Sequence, residues 1–285
     1  MRNSADIQWF PGHMAKARRK ITESLKLCDA VAEIVDSRIP VSSRNPELAG
    51  IIAGKPHILV LNKCDMADEK TTDAWVKYYA EQGIAAVPID CRTGKGVERF
   101  KTAVKTLLKD KLERYREKGM SGKTLKIMVV GIPNVGKSTF INRLSKASKA
   151  KTENRPGVTR SNQWFLVDKE LELLDTPGVL WPKFDDRTVG EHLAFTGAVK
   201  DDIVDPEDLA VRLIECIKQN EMEKLTARYG IEYDEDSYEM LCSIAKKRGM
   251  MIKGGEADTF RAAKTLLEEF KNCKIGRISL EHPEM

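Results

Sequence analysis

Short apolar runs alternate with longer amphipathic segments along the first half of the chain. Runs rich in β-branched residues predict buried strands over residues 30–35, 58–61, 86–89 and 127–130. The segments around them have helical periodicity and predict helices over residues 15–27, 72–81 and 97–117. Because strands joined by helices form parallel sheets, this order predicts a doubly wound α/β fold with a mostly parallel sheet. Its ligand is expected at the carboxyl ends of the strands.

Two further strands are predicted as a β-hairpin. They span residues 163–167 and 170–174, and the chain turns between them at Asp168 and Lys169. The two strands are too close in sequence for a helical crossover, so they pair antiparallel. We expect this hairpin at an edge of the sheet.

The last third of the chain predicts helices alone. Asp205, Ser237 and Asp258 stand at the starts of three helices that reach residues 217, 248 and 271. A chain of 285 residues also exceeds what one ordinary core holds. We therefore predict an α/β domain over residues 1–187 and a small all-helical domain over residues 188–285.

Composition narrows the class of protein. With 41% hydrophobic and 32% charged residues, the chain has enough apolar side chains for a core under a strongly solvated surface. The net charge of +5 fits an anionic partner such as nucleic acid without requiring one. Six separated cysteines without a Cys-x-x-Cys pair disfavour a zinc module or disulfide framework and predict a cytoplasmic protein. No apolar run approaches the roughly 20 residues that span a bilayer, so we expect no membrane partner.

A glycine-rich segment follows the fourth predicted strand and precedes a helical run. It reads Gly131-Ile-Pro-Asn-Val-Gly136-Lys137-Ser138. Its glycines let backbone N–H groups close around phosphates, Lys137 neutralises the β and γ oxygens, and the Ser138 hydroxyl ligates Mg²⁺. A glycine-rich turn without a ligand is the alternative, which the flanking strand and helix disfavour. The predicted phosphate contacts are Asn134, Val135, Gly136, Lys137, Ser138 and Thr139.

A second polar segment, Asn62-Lys63-Cys64-Asp65, ends the second strand and suits a guanine base. The Asp65 carboxylate accepts two N–H bonds from the guanine edge, which adenine does not offer. Asn62 is expected to face the other polar atoms of the base, and the Lys63 stem to pack on the ring. Taken alone, the segment fits a polar loop after a strand as well. Together with a phosphate-binding segment it favours GTP and GDP as ligands.

Three weaker signals complete the predicted nucleotide site. Asp175 and Gly178 follow the hairpin, where the carboxylate would join the Mg²⁺ shell and the glycine N–H would bind the γ-phosphate. Thr159 lies between the glycine-rich segment and the hairpin, where its hydroxyl would complete the Mg²⁺ coordination. Cys91 and Arg92 follow the third strand in a segment that departs from the usual Ser-Ala-Lys form. Their backbone is expected to touch the guanine from the opposite side.

Together these motifs resemble those of the translation-factor-related GTPases. Here the base motif precedes the phosphate motif, the order found in circularly permuted P-loop GTPases. Among these, the chain is similar to the ribosome biogenesis GTPase A family over nearly its whole length, including Trp9-Phe-Pro-Gly-His13-Met14 and Asp36-Ser-Arg-Ile-Pro40. The absence of zinc-type cysteines and of an N-terminal β-barrel separates the chain from other permuted families.

The resemblance implies a function. It predicts a monomeric GTP hydrolase that binds the immature large ribosomal subunit and its rRNA when GTP is bound, promotes late subunit assembly, and is released by hydrolysis. Two alternatives stay open: a GTP-gated RNA-binding scaffold with incidental hydrolysis, and a GTPase for another client such as tRNA modification.

The permuted order also changes which residues are expected near the γ-phosphate. The helix over residues 15–27 takes the place of the helix that follows Gly178 in the ordinary order, so residues 9–14 should lie near that glycine. Val179 stands where many GTPases carry a glutamine that orients water, and valine makes no hydrogen bond to water. His13 is then a candidate to position the attacking water. A surface histidine in an arm of the chain is the alternative.

Asn134 and the basic residues near the end of the chain have two interpretations each. Related GTPases with asparagine at the position of Asn134 bind K⁺ beside the phosphates, which would add positive charge in the transition state. The alternative is a side chain that stabilises the loop. The basic residues form either a phosphate-binding face for RNA or an ordinary solvated surface. They are Lys246, Lys247, Arg248, Lys253, Arg261, Lys264, Lys271, Lys274 and Arg277.

Overall fold

The structure, a computed structural model, describes residues 11–120, 122–147, 163–181, 186–199 and 205–283. Within these residues the chain forms six strands and eleven helices. The strands are β1 (Ala30–Asp36), β2 (His57–Asn62), β3 (Ala85–Ile89), β4 (Leu125–Val130), β5 (Gln163–Asp168) and β6 (Leu171–Asp175). The helices are α1 (Pro11–Leu25), α2 (Pro46–Ile52), α3 (Glu69–Glu81), α4 (Val97–Leu107), α5 (Lys109–Glu117), α6 (Lys137–Ala147), α7 (Arg187–Phe195), α8 (Pro206–Lys218), α9 (Met222–Tyr229), α10 (Ser237–Lys247) and α11 (Thr259–Lys271).

The six strands form one sheet in the order β3-β2-β1-β4-β6-β5. All neighbours pair in parallel except β5, which pairs antiparallel with β6 at one edge. The predicted mostly parallel sheet with an edge hairpin is therefore confirmed. Every residue of β1 is buried, as expected for a central strand that is covered on both faces.

Helices cover both faces of the sheet. On one face α4 and α6 meet at Phe100 and Phe140, whose rings lie edge to face with centroids 5.0 Å apart. On the other face α1 and α2 contribute Ile21 and Leu48 to a cluster with β4 and β6, and α3 packs Trp75 on β2. This arrangement leaves the carboxyl ends of the strands free to carry loops.

The helices that follow the sheet pack on one another and on the α4–α6 face. The core cluster on that face runs without interruption through α7, α8, α10 and α11. Glu269 of α11 holds α9 in place by accepting bonds from Arg228, at 2.8 and 3.0 Å, and from the Tyr229 hydroxyl at 3.0 Å. The boundary between two domains at residue 187 remains a prediction.

Several element boundaries differ from those predicted. Helix α1 begins at Pro11 rather than at residue 15, because proline suits the first turn of a helix; His13 is therefore part of the helix. The helix predicted over residues 97–117 divides at Leu108, whose side chain stays in the core with α4 while α5 buries no side chain. Asp236, not Ser237, caps α10 by accepting a bond from the Tyr238 N–H.

Three short helices were not predicted, although each has a start or stop signal. Helix α2 follows Asn45, which accepts a bond from Glu47 N, and it has Pro46 in its first turn. Asp186 caps α7 in the same way, and Gly230 ends α9 in the left-handed conformation. These helices are too short for periodicity to identify them.

Candidate functional site

Four loops that follow neighbouring strands meet at one edge of the sheet. The guanine loop (residues 62–68) follows β2, and the phosphate loop (residues 131–138) follows β4. The segment from Asp175 follows β6, and the segment from Asp90 follows β3. The sheet order places all four at the carboxyl ends of their strands, where a ligand binds in folds of this kind.

Two glycines allow the phosphate loop to approach its neighbours closely. Gly136 has φ +96°, and a Cβ atom there would lie 2.4 Å from Asn62 Nδ2. Gly131 has φ +149°, and its Cβ atom would lie 2.5 Å from the carbonyl oxygen of Ile34. Any larger residue would be strained at either position and would push the loop from the strands. Glycine at these two positions therefore lets the phosphate loop pack closely against the ends of β1 and β2.

Lys137 is buried at the start of α6 and closes the phosphate loop. Its Nζ atom donates to the carbonyl oxygens of Gly131 at 3.0 Å and Ile132 at 2.7 Å. Burial lowers the pKa of Lys137 to about 8, and the charge of Asp175 opposes this shift. A phosphate beside this ammonium group would favour its charged form in the same way as Asp175.

Asn62 joins the guanine loop to the phosphate loop. Its Nδ2 atom donates to the Val135 carbonyl oxygen at 2.7 Å, and its Oδ1 atom accepts from the Cys91 thiol at 3.1 Å. Burial raises the pKa of the Cys91 thiol to about 12, so the thiol keeps the proton that it donates. Asn62 thus connects three of the four loops, and its predicted contact with the base stays a prediction.

Asp65 lies in the guanine loop with its carboxylate 3.1 Å from the Arg92 guanidinium. Lys63 has a left-handed backbone with φ +58°, and its ammonium group lies 3.0 Å from the Asp36 carboxylate. Asp36 in turn forms a buried ion pair with Arg38 at 2.8 Å, in which both side chains are 2% exposed. The loop that carries Asp65 is therefore held by charges at the end of β1.

Asp36 and Arg38 support the guanine loop through Lys63, a contact that the sequence did not predict. They belong to the segment that carried the family resemblance, but no chemistry followed from their residue types alone. Their position at the carboxyl end of β1, which lies between β2 and β4 in the sheet, was the available signal.

The segment after β6 lies against the phosphate loop. A Cβ atom at Gly178 would lie 2.9 Å from Lys137 Nζ, so only glycine fits there without displacement. Burial raises the pKa of the Asp175 carboxyl, and the charge of Lys137 opposes this shift. Val179 is 2% exposed and packs in the cluster that contains Ile21 of α1. Its side chain therefore points into the protein core.

The oxygen ligands expected for Mg²⁺ are in part assembled. Ser138 is the second residue of α6, which follows β4, and Asp175 is the last residue of β6, which lies beside β4 in the sheet. A hydroxyl and a carboxylate oxygen are donors that Mg²⁺ accepts, so the residues fit this ion. Thr159 lies outside the described residues. The side chain of His13 also lies outside them.

Asn134 contacts the helical part of the chain. Its Nδ2 atom donates to the Gly197 carbonyl oxygen at 2.8 Å, just beyond α7. Its backbone has φ +62°, a conformation in which asparagine is tolerated better than most residues. These observations favour the loop-stabilising role, and they leave the K⁺ site a prediction.

The chain is similar to a family of ribosome-related GTPases in sequence and in structure. A model of the 50S ribosome-binding GTPase family matches residues 126–245. A ribosome biogenesis GTPase A of Priestia megaterium is 50% identical over 279 residues, which cover 97% of each chain. That of Bacillus cereus is 48% identical and covers 98% of this chain and 94% of its own. The GDP-bound structure of YlqF superimposes with a TM-score of 0.67 at 28% identity, over 94% of this chain and 100% of that one.

Proposed function

The chain belongs to the ribosome biogenesis GTPase A family, and from this premise we propose that it binds the immature large ribosomal subunit in its GTP state and leaves it after hydrolysis. The chain is a GTP hydrolase with a part in ribosome biogenesis. The observation that carries the nucleotide part of this proposal is the Asn62 bond to the Val135 carbonyl oxygen, which joins the guanine loop to the phosphate loop. Conversion of GTP in such a site is the event that a switch requires.

We assign the two ends of GTP to two loops. Asp65 accepts the N–H bonds of guanine, and Lys137 neutralises the β and γ oxygens. Ser138, Thr159 and Asp175 hold Mg²⁺, which supplies positive charge to the phosphates when it is bound. The Lys137 ammonium already lies among loop carbonyls, so little movement is needed to turn it towards a phosphate.

The attacking water requires a group from elsewhere in the chain. Val179 is buried and nonpolar, so its side chain does not orient water. Helix α1, which contains His13, packs Ile21 in the same cluster as Val179. The placement of α1 beside Val179 is the support for His13, about two helical turns before Ile21, as the residue that positions the water. K⁺ beside Asn134 is the second catalytic proposal, and turnover in K⁺ and Na⁺ at matched ionic strength tests it.

The surface around the start of α11 supports an RNA partner. Phe260 is 47% exposed, and the Lys264 ammonium lies 4.1 Å from the centre of its ring. Met251 and Ile252 are exposed on the preceding segment, beside Lys253. An aromatic ring among basic side chains suits stacking on unpaired bases together with phosphate contacts. Arg248 is engaged with Glu269, at 3.4 Å, and contributes less to this surface.

Cosedimentation with purified ribosomal subunits tests the proposed client. With a non-hydrolysable GTP analogue the protein should sediment with immature large subunits, and with GDP it should stay in the supernatant. If phosphates dominate the contact, the affinity for the subunit should fall steeply as the salt concentration rises. Equal binding in both nucleotide states would favour a scaffold, and preference for tRNA would favour another client.

Asp65→Asn tests the nucleotide assignment independently of the client. The substitution replaces an acceptor by an N–H donor, so affinity for GTP should fall while affinity for xanthosine triphosphate, whose 2-oxo group accepts, should rise. Asp73→Asn on the exposed face of α3 is the matched control. A variant that keeps its preference for GTP would remove Asp65 from the base site.

A further inference from the structure

The segment after α11 lies against the guanine loop. We define the C-terminal strap as residues 277–281. It forms four hydrogen bonds with consecutive parts of the guanine loop that surround Asp65. These are Arg277 Nη2 to Cys64 O (3.1 Å), Ile278 N to Met66 O (3.1 Å), Arg277 Nε to Ala67 O (2.7 Å) and Asp68 N to Ser279 Oγ (3.1 Å).

The strap also holds the other side of Asp65. Leu280 N donates to the carbonyl oxygen of Arg38 at 2.9 Å. Arg38 pairs with Asp36, and Asp36 pairs with the Lys63 ammonium at 3.0 Å. The strap thus fixes Lys63 indirectly, through Arg38 and Asp36. It fixes residues 64 and 66–68 by direct hydrogen bonds.

Glu281 anchors the far end of the strap. Its carboxylate accepts from Val41 N at 2.6 Å and from Ser42 N at 2.9 Å, and it lies 3.1 Å from His192 Nδ1. The indole N–H of Trp75 donates to the backbone carbonyl oxygen of Glu281 at 3.1 Å. The strap is therefore tied to the loops after β1 and β2, to α3 and to α7. Such anchoring on several elements gives it a fixed position against the guanine loop.

The guanine loop needs external support for its conformation. Lys63 has φ +58°, a strained value that persists only where surrounding contacts determine it. Discrimination for guanine requires the Asp65 carboxylate to meet two N–H groups at once, and hydrogen bonds weaken steeply as alignment is lost. Small shifts of the loop therefore cost specificity before they cost phosphate binding.

We propose that the C-terminal strap positions the guanine loop and that Arg277 is a positioning residue for guanine specificity. The inference rests on the proposed role of Asp65 in binding guanine. Residues 272–276 join α11 to the strap, so movement of that helix is transmitted through this short connection to the loop. Coupling between two sites is reciprocal, so binding of GDP should in turn slow hydrogen exchange at the amides of Ile278 and Leu280.

The test compares GDP with inosine diphosphate, which lacks the 2-amino group of guanine. In Arg277→Ala, the preference for GDP over inosine diphosphate should fall by about tenfold, since two bonds to the loop are lost. Arg277→Lys keeps the charge and part of the donor set, and should recover part of this preference. Arg277 is 42% exposed, so the alanine variant should fold, which its thermal unfolding verifies.

The control is Arg212→Ala, which removes an arginine of 45% exposure that pairs with Glu215 on α8. It should leave the GDP preference unchanged. An Arg277→Ala variant that weakens both nucleotides by one factor, or neither, would overturn the positioning role. Asp65→Ala distinguishes failure of the base assignment from failure of the strap's role. If this variant keeps the preference for GDP, the assignment of Asp65 to the base fails. If it removes the preference while Arg277→Ala does not, only the role of the strap fails.

Discussion

Removal of the Asp36 carboxylate tests the buried ion pair behind the guanine loop. Asp36 accepts bonds from Arg38 Nε at 2.9 Å and Nη2 at 2.8 Å, and from the Arg38 N–H at 3.1 Å. Both side chains are 2% exposed. Burial alone would raise the pKa of the Asp36 carboxyl, but the charges of Arg38 and Lys63 outweigh it and hold that pKa well below its usual range. The carboxylate is therefore charged in the folded protein.

Asp36→Ala leaves the Arg38 guanidinium buried without its counter-ion. Removing one partner of such a pair costs about 3–5 kcal/mol, which is a large part of the roughly 5–15 kcal/mol that keeps a domain folded. We expect a loss of that size in the free energy of unfolding, measured by urea titration followed by circular dichroism. The double variant Asp36→Leu with Arg38→Met should be more stable than Asp36→Ala, because it removes the buried guanidinium and leaves only Lys63, which is 24% exposed, without its partner.

An exposed ion pair supplies the control. Arg19→Ala breaks the pair of Arg19 with Glu23 on α1, whose side chains are 83% and 63% exposed. It should change the free energy of unfolding by less than about 0.5 kcal/mol. A loss below about 1 kcal/mol in Asp36→Ala would refute the reasoning, since it would mean that the guanidinium finds water or another partner.

The dependence on pH gives a second check of the same pair. The folded pKa of Asp36 lies below the unfolded value of about 3.9, so its stabilisation is complete above that value. It is lost as pH falls from the unfolded pKa towards the folded one. The difference in stability between the native chain and Asp36→Ala should therefore be constant above about pH 5 and shrink below about pH 4. A difference that grows with acid would contradict the assignment.

Two further changes have outcomes that the structure determines. Gly136→Ala places a methyl group 2.4 Å from Asn62 Nδ2 in a left-handed backbone, so calorimetry should show GTP affinity reduced by at least about tenfold. Bonds from Arg228 lower the pKa of the Glu269 carboxyl, and Glu269→Gln removes its charge. Thermal unfolding should show a loss of about 1–2 kcal/mol in the free energy of unfolding, a modest value because the Arg228 side chain is partly exposed. For Glu269 the loss should vanish at acid pH, where the native carboxyl is protonated.

The strands and the loops that follow them were predictable because their signals are local. Residues 58–61 form an apolar run with polar residues at both ends, and β2 extends only one residue beyond it on each side. The parallel order then places the Asn62 segment and the Gly131 segment at the same edge of the sheet. The permuted order of the motifs did not affect this prediction, since the sheet brings the two segments together in the ordinary order and in the permuted one.

The contacts that hold the guanine loop were not predictable from local pattern. Arg277 and Cys64 are more than two hundred positions apart, and the strap belongs to no helix or strand. The bond partners are backbone carbonyl oxygens, which leave no trace in residue type. The bond of Asn62 to the Val135 carbonyl oxygen was not predictable for the same reason, and its contact with the base stays a prediction.

The helical part of the chain contacts both ends of the nucleotide site. At the phosphate end, Gly197 accepts the bond from Asn134, and at the guanine end, Arg277 binds the loop that carries Asp65. Arg38 lies between these points, with its guanidinium 5.4 Å from the ring centre of Phe270 in α11. A displacement of the helices against the sheet must therefore alter both ends together. This geometry gives a partner bound to the helices a direct physical route to the nucleotide, and it gives the nucleotide the same route to the partner.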